Sequence, residues 1–186
     1  MAHIFKPPTV GLASVAVMSA HPPADGEHTV NGTPRGATSI TPFVVVRQAA
    51  KALEFYCAVF GARLVDRTDL PGPDGVPLVA HAVLDLGNGL LQLGDPMPAY
   101  HLVLPPGGDE ACFSLGLYCP DVDAAVERAV AAGAVLREPA STFVSGDRFA
   151  SILDPFGIRW SIMTRVEDLS EAESARRVAE WAASMV

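Results

Sequence analysis

His81 is the residue in this chain best suited to moving a proton or holding a metal. It lies in LVAHAVLDLG, residues 78–87, and is the only histidine inside a predicted strand. Neutral imidazole serves as a general base or as a metal ligand near neutral pH. A hydrogen-bonded structural histidine is the plainer alternative. With a two-residue loop at Asn88-Gly89, Leu86 faces Leu91 and Asp85 faces Gln92. Strand alternation then gathers Val79, His81, Val83, Asp85 and Gln92 on one face. A second group sits in SILDPFGIRWSIMT, residues 151–164, where Asp154-Pro155-Phe156-Gly157 reverses the chain. Arg159, Ser161 and Met163 share one face of the exit strand, and Trp160 and Ile162 the other. Arg159 suits an anionic ligand or a pairing with Asp85; its alternative is an apolar stem at a rim with the head in water.

Other chemistry is absent. No nucleophile–base–acid triad, phosphate loop or dinucleotide fingerprint occurs. Cys57, Cys112 and Cys119 have no zinc-site spacing and read as reduced thiols, so a cytoplasmic location is expected.

These groups need elements to position them. The 186 residues suffice for one domain or two small modules sharing a core. Hydrophobic residues make up 49% and charged ones 18%, a globular composition, and the net charge of −8 argues against a nucleic-acid partner. The apolar run Val10–Ala20 is far short of the roughly 20 residues of a membrane span; with Lys6 before it, it superficially resembles a secretory signal, while Met18 offers an alternative start. Residues 1–38 are expected to form a flexible tail, and Asn31–Thr33 matches a glycosylation tripeptide that is frequent by chance.

From Ile40 the chain becomes regular. ITPFVVV predicts a strand, QAAKALEFYCAVF a helix ended by Gly61, and three further strands follow through LLQLGD. The pattern repeats: strand ACFSLGLYC, helix PDVDAAVERAVAAGA with Asp121 as N-cap and Gly133 as terminator, then three strands. Laying FYCAVFGA over RAVAAGA superposes Gly61 on Gly133. The expected architecture is α+β, two tandem βαβββ modules forming cupped mixed sheets plus a C-terminal helix. The modules span residues 39–99 and 111–165, with a Pro/Gly-rich connector at 100–110, and the helix falls in 166–186, opened by a Ser170/Glu173 capping box. Phe43, Phe113, Phe143, Phe149 and Trp160 are expected in the core, Phe43 with a second claim as a ligand contact.

The paired modules, with ALEFYCAVFGA, DVDAAVERAVAAGA and GDRFASILDPFGIRWSIMT followed by VEDLSEAESARR, resemble the vicinal oxygen chelate superfamily of glyoxalases, bleomycin-resistance proteins and dioxygenases, and within it the PhnB-like branch. The resemblance spans roughly residues 39–180. It implies two cupped half-barrels and, in the enzymes, a divalent metal held from up to four strand positions. Counted onto this chain, those positions are Thr41, Gln92, Cys112 and Ser161, a set without imidazole or carboxylate. The expected ligand-binding set is Thr41, Phe43, His81, Asp85, Gln92, Cys112, Ser114, Arg159 and Ser161, with no metal ligands.

The resulting expectation is a pocket protein without a cofactor that binds or sequesters a hydrophobic or aromatic compound. The alternative is a lyase, isomerase or dioxygenase that uses zinc, iron, manganese or nickel at shifted positions, or His81 as its catalytic base. A small-molecule partner and a homodimer are expected, with neither nucleic acid nor membrane.

Overall fold

A computed structural model describes residues 23–72, 75–108 and 110–185. The apolar run Val10–Ala20 lies outside them. The described residues up to Gly36 form a unit by themselves, in which β1 (Thr29–Val30) and β2 (Thr33–Pro34) make a hairpin. Its two central residues, Asn31 and Gly32, have φ of 49° and 78°, the left-handed pair of a tight hairpin turn. This short hairpin stands in a stretch where the sequence pattern predicted no element.

From Ala37 the chain forms the second unit, with two modules of one design. The first contains β3 (Phe43–Val45), α1 (Ala49–Phe60), β4 (Arg63–Leu70), β5 (Leu78–Asp85) and β6 (Leu90–Gly94). The second contains β7 (Leu115–Tyr118), α2 (Val122–Ala131), β8 (Val135–Thr142), β9 (Asp147–Leu153) and β10 (Arg159–Arg165). The sheet orders are β3-β6-β5-β4 and β7-β10-β9-β8. In each, the first and last strands run parallel and the other neighbours antiparallel. The α+β two-module architecture is thus as expected, with α3 (Glu171–Ala183) following.

Each helix covers one face of its sheet. Ala52, Leu53, Tyr56 and Val59 of α1 are buried together with Val44, Ala82, Leu84, Leu91 and Leu93 of the first sheet. The start of α1 is capped from a distance: Asp95, just past β6, accepts the Ala49 amide over 3.0 Å and the Val79 amide over 2.9 Å. Gly94 permits this approach, because a Cβ there would lie 2.8 Å from the Ala80 carbonyl oxygen. Asp121 caps α2 as expected, accepting from the Ala124 amide over 3.0 Å.

Two details differ from the sequence pattern. The β5–β6 turn closes with the Leu86 amide donating to the Gly89 carbonyl over 2.9 Å, so Gly87 and Asn88 are its central residues. Gly87 supplies the positive φ, at 100°, and the register becomes Asp85↔Leu90 and Val83↔Gln92. A shift of two leaves every side chain on its expected face. Val79 is the exception. A register shift at Ala80 turns it into the core, where it is 1% exposed.

The modules meet through a buried polar lock. The Tyr56 hydroxyl donates to Asp154 Oδ2 over 2.6 Å, and the Trp160 indole donates to the same oxygen over 3.0 Å. The amides of Phe156 and Ile158 fill Oδ1 at 2.9 and 2.8 Å. Around this carboxylate, Phe55, Tyr56 and Phe60 interlock with Phe156 and Trp160. Burial pushes the Asp154 carboxyl up against the pull of its donors, chiefly Tyr56. Burial also raises the Tyr56 phenol, helped by the Asp154 charge. Arg128 of α2 adds a bond to the Val59 carbonyl.

The last helix docks lightly. Ser170 caps it through the Glu173 amide, none of its residues is buried, and Trp181 meets Phe143 edge-on at 4.9 Å. Its approach depends on Gly146, whose carbonyl accepts the Val166 and Glu167 amides. Gly146 has φ of 86°, and a Cβ there would lie 2.8 Å from Leu169. Of the aromatic residues expected in the core, Trp160 alone is fully buried; Phe43, Phe143 and Phe149 are half-buried, and Phe113 is exposed in the segment before β7.

Candidate ligand-binding faces

On the first sheet, the face opposite α1 carries Phe43, His81, Val83, Asp85 and Gln92, all half-buried. Phe43 pairs with Gln92 across the parallel ladder, and its ring stacks on His81 at 6.0 Å and 27°. Asp66 of β4 brings a carboxylate oxygen to 3.9 Å from His81 Nδ1, a neighbour that the sequence pattern did not single out. Thr41, just before β3, places its hydroxyl 3.2 Å from that of Thr38. Asp85 is committed locally. It accepts from the Gly87 amide and from Arg63, each at 2.8 Å, and these bonds hold its carboxyl below the usual range.

On the second sheet, the face opposite α2 carries a line of hydroxyls. Ser114 and Ser161 lie 2.8 Å apart, oxygen to oxygen, and Ser114 also reaches the Arg159 carbonyl at 3.4 Å. Ser151 is paired with Ser161 in the ladder and is fully buried, accepting from Arg159 Nε over 3.0 Å. The other end of the Arg159 guanidinium forms an ion pair with Glu138 of β8. Arg159 therefore lies along its own sheet, bound to Ser151 and Glu138, while Asp85 is bound to Arg63. Cys112 sits in the exposed segment before β7, in a small recess with Arg159, Glu110 and Phe113, and Ser114 rather than Cys112 stands beside Ser161.

The partners missed from the sequence are Asp66, Glu138 and Ser151. Ser151 was missed by one residue: a turn spanning 154–157 places it opposite Trp160, whereas the Asp154 amide closes the loop on the Ile158 carbonyl and brings it opposite Ser161. Glu138 was hidden because irregular pairing on both sides of it masks its alternation.

The donor set does not fit a divalent metal. Of the four positions that the resemblance implies, Thr41, Gln92 and Ser161 offer neutral oxygens and Cys112 a thiol, a set without imidazole or carboxylate. Among the described residues no group of three or more His, Cys, Asp or Glu is arranged to hold a metal ion. No described helix is long and apolar enough to cross a membrane.

Comparison with known proteins agrees with this architecture. An uncharacterised protein of Mycobacterium bovis is 32% identical over 138 residues, covering 73% of this chain and 88% of that protein. A Mycobacterium tuberculosis relative matches at the same identity over 79% of its length. Among solved structures, TioX from Micromonospora sp. ML1 is 25% identical with a TM-score of 0.52, over 69% of this chain and 99% of TioX. A PhnB protein from Bacillus cereus shares the fold at 20% identity and a TM-score of 0.53, over 68% of this chain and 99% of its own. Residues 36–162 match the family model of the Glyoxalase/Bleomycin resistance protein/Dioxygenase superfamily, and the chain belongs to that superfamily.

Proposed function

We propose that this protein binds and sequesters a small hydrophobic or aromatic molecule on the sheet faces, without a resident divalent metal. The observation that carries this reading is Ser161, which stands at one of the four positions where the family resemblance calls for a metal ligand and instead shares a hydrogen bond with the Ser114 hydroxyl. Hydroxyls there hydrogen-bond a polar substituent, while Phe43 and Val83 offer apolar contact. Three free cysteines fit a reducing, cytoplasmic setting. Titration calorimetry with zinc, iron, manganese and nickel salts is expected to show no stoichiometric binding. Tight one-to-one uptake of any of them overturns the reading.

A second reading makes His81 a general base. Its support is the stacking of Phe43 on the imidazole and the approach of Asp66. An enzyme of this kind would lose turnover in His81→Gln with its melting intact.

The working assembly is a homodimer whose sites are bordered by both subunits. Leu64, Val65 and Leu70 on β4, and Val135 and Leu136 on β8, are left exposed in the single chain, which supports further cover. Light scattering at micromolar concentration is expected to give twice the chain mass. A monomer with ligand binding intact refutes the assembly.

A further inference from the structure

Where the two modules meet there is a cleft of about 280 Å³, whose lining includes Leu90 and Leu91 from the first module and Leu115, Leu117 and Trp160 from the second. Its lining includes none of the serines of the hydroxyl line, nor Phe43 or His81, although Gly116 is the ladder partner of Ser161. Its walls are mainly apolar, with Asn88 and Tyr118 as the polar side chains, and Trp160 is held in place by Asp154. One wall is β7, an edge strand that pairs with β10 alone. The Cys119 amide donates to the Met163 carbonyl in that ladder. Strand alternation therefore turns the main-chain groups of Gly116 and Tyr118 the other way, out of the ladder. Both residues line the cleft and are exposed. The cleft thus presents an acceptor, the Gly116 carbonyl, next to a donor, the Tyr118 amide, beside apolar side chains.

We infer that this junction cleft is a second binding site, taking a planar fused-ring molecule that carries a lactam. The lactam N–H donates to the Gly116 carbonyl and its carbonyl accepts from the Tyr118 amide, while the rings lie between the leucines and Trp160. Unused edge-strand groups recognise an amide this way because they form the same pair of bonds that a neighbouring strand would. Gly116 keeps the strand free of a side chain at the acceptor.

The probe is 2-quinolinone, titrated into the full chain and followed by amide and indole NMR shifts. A ligand of this size is expected to bind with Kd of roughly 0.1–1 mM. The shifts are expected at Gly116, Tyr118 and the Trp160 indole. N-methyl-2-quinolinone, which has no donor, is expected to bind at least tenfold more weakly. Gly89→Phe places a ring at a lining position where a Cβ meets nothing within 4 Å, so it should fold normally and weaken 2-quinolinone at least tenfold. His81→Gln, on the first sheet face, should leave this binding unchanged and so separates the cleft from the site proposed above. Absence of binding, equal affinity for the N-methyl compound, or shifts confined to the sheet faces overturns the inference. So does an extended peptide that pairs with β7 while 2-quinolinone does not bind.

Discussion

Tyr56 of the first module and Asp154 of the second are joined by a 2.6 Å hydrogen bond in an environment that excludes water. The bond ties residues 98 positions apart and makes one folding unit of two modules. Tyr56→Phe removes one of four donors and should cost about 1–2 kcal/mol in chemical denaturation. Asp154→Ala strands all four and should cost about 3 kcal/mol or more. The double variant should fall short of the sum, since the two changes remove one shared bond. Strict additivity would show that the lock contributes nothing to coupling the modules.

The C-terminal helix should respond to acid. Arg176 and Arg177 hold the Glu173 carboxyl down from its ordinary 4.5 to about 2. A depressed carboxyl contributes stability that is complete above its unfolded value and is lost as pH falls through the folded one. Docking of α3 should therefore weaken between about pH 4.5 and 2, read from the Trp181 indole resonance against Phe143. Glu173→Gln should flatten that titration. Arg177 also pairs with Glu167, and Arg176 with Glu180.

Truncation after Asp168 removes α3 with little loss from the core, because none of its residues is buried. Melting should change by about 1 kcal/mol or less. If α3 contributes to the homodimer, sedimentation should show weaker association in the truncated chain. Unchanged association assigns the contact to the sheet faces instead.

His81 is half-exposed and accepts no core role, so His81→Gln should shift stability by about 0.5 kcal/mol or less. Loss of ligand affinity on the sheet face without unfolding is the expected outcome in a binding assay. Unfolding would mark the imidazole as structural.

The repeat, the helix caps and the sheet faces were legible in the sequence because each rests on a local period or a nearby capping residue. Asp121, Gly61 and Ser170 announce their helix ends within one turn. Asn88-Gly89 was a true hairpin signal with the wrong central pair, since Gly87 competes for the positive φ. The same Asn-Gly signal at residues 31–32 was hidden by polar, aperiodic flanks. Long-range relations left no such trace. Asp95 capping α1 and Glu138 pairing with Arg159 arise only once the strands are in register. The opening of the Ser161 face was foreseeable from alternation, but its partner Ser114 depended on where β7 begins.

The polar lock also bears on how the two halves have diverged. With Gly61 laid over Gly133, the counterpart of Tyr56 in the second half is Arg128. The counterpart of Asp154, whose amide closes its turn, is Leu86, whose amide closes the other. The lock therefore exists in one direction only. Two copies of the first half would bring Tyr56 to a leucine, and two copies of the second would bring Asp154 to a cation. The junction is therefore a match between unlike partners, although the two halves share one design.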